Sequence, residues 1–153
     1  MRRVGMRVAY GVARLWWWIR RPVTQGVRVM LVQEGQVMLV KHTYQDHWYF
    51  PGGGVKRNES VESAARREAA EEVGATVDAL SLVGVFANFY EHKSDHVICF
   101  ISQDFSLAPR PHSLEIEEAR FFPLDALPAN ASPGTVRRVD EFRRGTLSST
   151  GKW

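Results

Sequence analysis

Five glutamates, Glu59, Glu62, Glu68, Glu71 and Glu72, share a short stretch with only two arginines, Arg66 and Arg67, and the stretch follows directly on Pro51-Gly52-Gly53-Gly54. It reads as a helix, on which acids three and four residues apart are neighbours and repel. At about 100° per residue, Glu68 and Glu72 fall within roughly 20° of Val61, and Ala65 within roughly 40°, with Glu71 on the same side beside Ala64. Ser63, Arg66 and Ala70 take the opposite side, where an ordinary surface helix keeps its charges. Carboxylates turned toward apolar neighbours are costly unless protonated or bound to cations. Two arginines do not neutralise five acids; a divalent cation relieves the charge. Hard oxygen donors without clustered Cys or His suit Mg²⁺, or Mn²⁺, better than zinc or copper. Backbone at Gly52, Gly53 and Gly54 can approach a ligand closely because it carries no Cβ. The chemistry these residues predict is a metal-assisted reaction on a phosphate.

The elements that must hold these residues follow from pattern. A chain of 153 residues, 44% apolar, is sized for one domain with its own core. "GVRVMLV" and "QVMLVKH", separated by "QEGQ", read as a hairpin of β-branched strands. "WYFPGGGV" leads into the acidic helix. "LSLVGVFANFY" and "HVICFIS", joined by the polar "EHKSD", and then "EARFF" read as further strands. Ser132 as a cap, Pro133 at the first helical position and Gly145 past the end mark a C-terminal helix. The order is a mixed α/β domain in which strands outnumber helices.

Gly53, Glu59, Arg67, Glu68, Glu71, Glu72 and Gly74 occupy every fully specified position of the pattern G-x5-E-x7-R-E-U-x-E-E-x-G-U. Through that box the chain resembles the Nudix hydrolases of the MutT type. Seven such matches arise by chance roughly once in 10⁸ starting points. The two U positions, normally bulky aliphatics, are Ala69 and Ala75, a departure that bears on how the helix packs. The resemblance implies an α/β/α sandwich with a mixed sheet. It divides the chain into an N-terminal basic, Trp-rich helical segment (1–22), a Nudix hydrolase domain (23–145) and a C-terminal tail (146–153). It also implies divalent cations bound through the Gly53 carbonyl and the carboxylates of Glu68, Glu71 and Glu72, with Arg67 orienting the glutamates through Glu59 or Glu71. The implied reaction is hydrolysis of a nucleoside diphosphate linked to another moiety, by water attack on phosphorus. Glu68 or Glu72 is the first choice of general base. Relatives also use an acid from a later loop, and Glu115, Glu117 and Glu118 in "HSLEIEEARFF" offer one; their plainer reading is acids that keep an edge strand unpaired.

Specificity is harder to read. Arg28 and Lys41, on the predicted hairpin, are placed to touch phosphate or are exposed strand cations. Trp48, Tyr49, Phe50, Phe86, Phe89 and Tyr90 can stack on a base or fill the core. His92 and His96 sit four apart but in an expected loop with no third ligand. His42, His47 and His112 read as surface or hydrogen-bonded residues.

The formal charge of +3 is uneven: residues 1–21 hold six Arg and no acid, so the remainder carries 20 − 6 = 14 bases against 17 acids. Arg7 and Arg14 interrupt the apolar run, which argues against a spanning helix or a secretory signal. Arg7, Arg14 and Arg21 make one basic stripe, with Trp16, Trp17, Trp18 and Ile19 around the rest and Pro22 ending the helix. That helix reads as packed on its own domain or on a second copy in a homodimer, with a membrane or nucleic-acid contact as the alternative. The lone Cys99, inside "HVICFIS", excludes an internal disulfide and suits a cytoplasmic setting. Besides the pyrophosphohydrolase, two readings stay open: an idle Nudix module that binds a nucleotide or partner, and a pyrophosphohydrolase of RNA 5′ ends, which the basic N-terminus would assist. The intact acidic set favours turnover.

Overall fold

The computed structural model describes residues 8–16, 23–89 and 94–153. Strand β1 (Val23–Gln33) turns Val27, Val29 and Leu31 to one face and Met30 and Val32 to the other, all buried. A strand apolar on both faces needs cover on both. Helix α2 (Val61–Val73) supplies it on one side with Ala64, Ala65, Ala69 and Val73, and α3 (Pro133–Arg144) on the other with Val139 and Phe142, beside Trp48 and Phe50. This is the expected α/β/α sandwich.

The sheet is mixed. β1 runs parallel to β5 (Ser94–Leu107), from Val23 opposite Ser94 to Leu31 opposite Ser102. β5 is antiparallel to β4 (Ala75–Asn88). The tip of β1 turns through Glu34 and Gly35, with φ of 51° and 72°, the paired positive values of a two-residue hairpin turn. It continues into β2 (Gln36–His42), which pairs antiparallel with β6 (Ile116–Pro123) along its length and with β3 (Trp48–Tyr49) at its end.

Both helices start and stop where the capping residues dictate. Ser60 accepts from the Ser63 N–H and Ser132 from the Thr135 N–H, Pro133 opens α3, and Gly74 and Gly145 close the two helices in the left-handed region. Ala69 and Ala75, the two departures from the Nudix pattern, are both fully packed; small side chains there let α2 lie close on β1 and β4. Cys99 is buried as expected, and burial pushes its thiol up to about 12.

Two expectations change. The segment 146–153 is not a tail: β7 (Thr150–Lys152) joins the sheet parallel to β4, and Trp153 packs beside Phe50 and Phe86 at ring separations of 6.2 and 5.8 Å. Ser94, Asp95 and His96 belong to β5 rather than to a loop, while His92 and Tyr90 lie outside the described residues. Of the N-terminal segment, residues 8–16 form a helix, here α1; residues 1–7 and 17–22, with Arg7, Arg21, Trp17 and Trp18, lie outside the described residues. Among the described residues no helix is long and apolar enough to cross a membrane.

Close backbone approach at Gly84 is what admits the last strand. A Cβ there would stand 2.1 Å from the Ser149 carbonyl oxygen, which accepts from the Val85 N–H at 2.9 Å. Gly84→Ala is expected to cost about 1–3 kcal/mol, the scale of overpacking, read as a melting temperature several degrees lower and as faster proteolysis at the C-terminus. An unchanged melting curve would mean that β7 contributes nothing to the domain.

Candidate functional site

The glycine loop is strapped to β1. The Val29 and Val27 N–H groups donate to the Pro51 and Gly53 carbonyls at 2.8 and 2.9 Å, and Arg28 Nη1 donates to the Phe50 and Gly52 carbonyls, both at 2.9 Å. From the other side α2 presses its acids onto the same loop. Gly52 N–H donates to Glu72 Oε2 at 2.8 Å, and a Cβ on Gly53 would stand 2.7 Å from Glu68 Oε1. Glycine at 53 leaves that carboxylate its room, while at Gly52, where φ is 148° and a Cβ would stand 2.1 Å from the Val27 carbonyl oxygen, no other residue fits.

Arg67 organises this face. It binds Glu59 twice, at 2.7 and 2.9 Å, and reaches Glu68 at 2.6 Å, Glu71 at 3.3 Å and the Gly54 carbonyl at 3.1 Å. Hydrogen bonds donated by Arg67 hold the Glu59 carboxyl well below the usual range, and the same bonds raise Arg67 in return. Its contacts thus reach Glu59, Glu68 and Glu71 together.

The acids of α2 do not all turn inward. Glu72 is buried, and burial pushes its carboxyl up to about 7 against the opposing pull of Arg28 and the Gly52 N–H. The Glu68 side chain is 13% exposed but that of Glu71 is 56% exposed, although its helical angle lies close to that of fully buried Ala64. Two cavities, of about 600 and about 610 Å³, meet at Glu68, Glu72 and Glu115. Gly52, Gly53 and Gly54 line the first, and Glu71 the second.

Carboxylate oxygens on a shared wall, one of them buried, fit a hard divalent cation in kind. They are not drawn into a ready ligand set: among the described residues no three His, Cys, Asp or Glu side chains converge on one point. Glu68 is engaged by Arg67, Glu72 by Gly52, and the Gly53 carbonyl already accepts from Val27. A cation there would draw on remaining lone pairs and on a shift of Glu68 away from Arg67.

Among the residues singled out for later roles, Glu115 lines both cavities, whereas Glu117 and Glu118 line neither. Glu118 stands opposite Lys41 in the β2–β6 pairing, and Lys41 Nζ lies 3.8 Å from Glu117. Lys41 therefore points away from the cavity, since its neighbour His42 points into it and strand side chains alternate. Arg28 does line the cavity, with its guanidinium braced on the glycine loop and 5.3 Å from the Tyr49 ring. Trp48, Phe50 and Phe86 are core, Phe89 is exposed, and Tyr49 alone of those described aromatics lines the cavity.

His42 corrects the surface reading. It is 4% exposed, and neither ring nitrogen meets a hydrogen-bond partner in the protein. Burial, with Arg28 nearby, lowers its pKa to about 3, so the ring is neutral. The signal was present in the sequence: Met38, Val40 and His42 share one face of β2, and the first two are core. Tyr44 and Gln45, which follow it along the cavity wall, were missed because nothing local distinguishes them from loop residues.

Comparison with known proteins completes the description. The family model described as "NUDIX domain" matches residues 21–142. An RNA pyrophosphohydrolase from Hahella chejuensis is 44% identical over 50 residues, 33% of this chain and 31% of that protein. The chain thus spans about a third of the length of the RNA pyrophosphohydrolases it matches. A Bacillus subtilis (strain 168) protein described as an 8-oxo-dGTP diphosphatase is 28% identical over 123 residues, covering 80% of this chain and 81% of that one. The crystal structure of the MutT Nudix hydrolase from Burkholderia pseudomallei superposes with a TM-score of 0.70 at 26% identity, over 77% of this chain and 96% of the other.

The neutral, buried His42 has a measurable consequence. An unfolded histidine titrates near 6.5 and this one at about 3, so between those values the unfolded chain takes up a proton that the native one refuses. Stability is whole above pH 6.5 and is lost as the pH falls toward 3. His42→Phe is expected to remove part of that acid slope in urea titrations, on the order of 1 kcal/mol or more between pH 6.5 and 4.5. Parallel slopes for the two proteins would refute a neutral His42.

Proposed function

Because the chain belongs to the Nudix family, we propose that it is a divalent-cation-dependent pyrophosphohydrolase acting on a nucleoside diphosphate linked to another moiety. The observation that carries the reading is the meeting of Glu68, Glu72 and Glu115 where two cavities join, beside a glycine loop that α2 and β1 hold from both sides. Glu68, Glu71 and Glu72 would hold Mg²⁺, with Mn²⁺ as the substitute. A divalent cation there supplies positive charge against the pyrophosphate oxygens and makes an attacking water easier to deprotonate.

This chain's own residues do the rest. The glycine loop lets the diphosphate lie against backbone. Arg67 keeps the acids at fixed spacing through Glu59, Glu68 and Glu71. Water attacks phosphorus, a new P–O bond forms, and the bridging P–O bond breaks toward the leaving phosphate. Glu115 takes the water's proton: of the two acids that line both cavities outside the Arg67 network it is the one not bound to the Gly52 N–H, and Glu72 is the alternative acceptor. Glu118 is set aside because it lines neither cavity. The buried thiol of Cys99 supports a cytoplasmic setting.

The test is Mg²⁺-dependent turnover of a panel of nucleotide diphosphate derivatives, with the released phosphate located by product analysis. Glu72→Gln preserves the acceptor for the Gly52 N–H, so the fold is expected to survive while the rate falls at least about 100-fold; Glu115→Gln is expected to fall as far. Unchanged rates in Glu72→Gln would remove the mechanism. Retained binding without turnover in the parent protein would instead establish the idle module. Release of pyrophosphate from a triphosphorylated RNA end, at a rate above that for free nucleotides, would establish the RNA reading, which the Hahella chejuensis relative supports.

Self-association through α1 belongs to the same proposal. Val8, Val12, Leu15 and Trp16 are all exposed, 53–65%, and at helical spacing form one apolar stripe. A second copy would cover it. Sedimentation should then give a dimer that Val12→Asp converts to monomer; a monomer at all concentrations would exclude this, and association with anionic vesicles or RNA alone would assign the stripe elsewhere.

A further inference from the structure

The first cavity has a second chemical character. Part of its wall is made by Tyr10, His42, Tyr44, Gln45 and Tyr49, and adjoins the acids where the Thr43 N–H donates to the Glu115 carbonyl at 2.8 Å. Tyr10 comes from α1, outside the residues 21–142 that match the family model. Its ring lies 5.0 Å from that of Tyr44, and its hydroxyl accepts from Gln45 Nε2 at 2.9 Å. Tyr44 and Tyr49 stand 5.2 and 6.0 Å from the His42 ring. Tyr10 therefore ties α1 to the cavity wall, while the Val8, Val12, Leu15 and Trp16 side of the same helix faces outward.

An unpartnered polar ring at the bottom of an aromatic recess is unusual. Buried polar groups are nearly always hydrogen-bonded, and an orphan asks for a reason. A structural histidine would be better replaced by an apolar ring. A neutral imidazole offers one donor and one acceptor, and flat aromatic walls favour a flat π-system. Both features suit a heterocyclic base with polar edges.

We propose that this recess receives the nucleobase of the substrate, with His42 reading its hydrogen-bonding edge and Tyr10 of α1 completing the aromatic wall. The inference rests on the hydrolase reading for its nucleotide, and it assigns α1 a part in substrate selection that the family domain lacks. The diphosphate would then extend along the glycine loop toward Glu68, Glu72 and Glu115, which line the same cavity. Neither Tyr10 nor His42 takes part in bond breaking; they are specificity-determining residues.

The experiment compares ADP, GDP, CDP and UDP with inorganic pyrophosphate, each with Mg²⁺, by calorimetric titration of the full chain. Tyr10→Ala is expected to weaken the best nucleoside diphosphate about tenfold, the scale of one lost base stack, with pyrophosphate affinity unchanged and Tyr10→Phe restoring most of the loss. His42→Phe is expected to raise the melting temperature, because an unsatisfied buried group is gone, while reducing discrimination among the four bases. Nucleotide affinity indifferent to both substitutions overturns the inference. So does equal weakening toward nucleotides and pyrophosphate, which would mean general disturbance of the site. The hydrolase reading stands or falls separately: cleavage insensitive to Tyr10 and His42 removes only the base recess, whereas Tyr10-dependent binding without cleavage keeps the recess and removes the hydrolase.

Discussion

The contact between the glycine loop and the acidic side of α2 governs the rest of the structure. Gly53 leaves room for the Glu68 carboxylate that stands against it, Gly52 has no space for a Cβ against β1, and Glu72 is buried with the Gly52 N–H donating to it. Neither arrangement survives alone. Without the loop's N–H, Glu72 would be a buried carboxylate with no donor from the backbone, a cost of several kcal/mol in general. Without the helix, the loop would have only its bonds to β1.

Arg67 answers the charge that this packing concentrates. One guanidinium fork serves three carboxylates and a carbonyl, which suits its planar array of donors and which no lysine could reproduce. The result is a compromise rather than neutrality. Glu72 remains outside the Arg67 network, held high by burial, and Glu71 remains largely in water. Glu68, Glu72 and Glu115 are left side by side where the two cavities join.

The cavity itself joins two chemistries that belong to different parts of the chain. Its acidic end is made by the loop and α2, within the family domain. Its aromatic end is made by the end of β2, the turn that follows, and a tyrosine from α1. Carboxylates that would hold a cation, and π-faces, suit opposite ends of the same kind of molecule, a cation-bound polyphosphate attached to a flat base. Of the residues named at both ends, only Tyr10 lies outside the stretch that matches the family model.

Much of this was legible in local pattern. The box residues, the hairpin at Glu34-Gly35 and the caps Ser60, Ser132, Pro133 and Gly145 follow from spacing and from backbone preferences, which act over a few residues and so appear in the sequence itself. The approximate inward turn of Glu68 and Glu72 was also readable, since helical angle is a local property; that Glu71 stays in water was not, since the edge of a buried face depends on what covers it. The place of Glu115 rather than Glu118 on the cavity walls, the removal of Lys41 from the cavity, the incorporation of Trp153 and the arrival of Tyr10 beside Tyr44 were decided only by the tertiary structure. Each is a meeting of residues far apart in the chain, fixed by sheet pairing and packing, and no short-range preference encodes which distant side chain will occupy a given space.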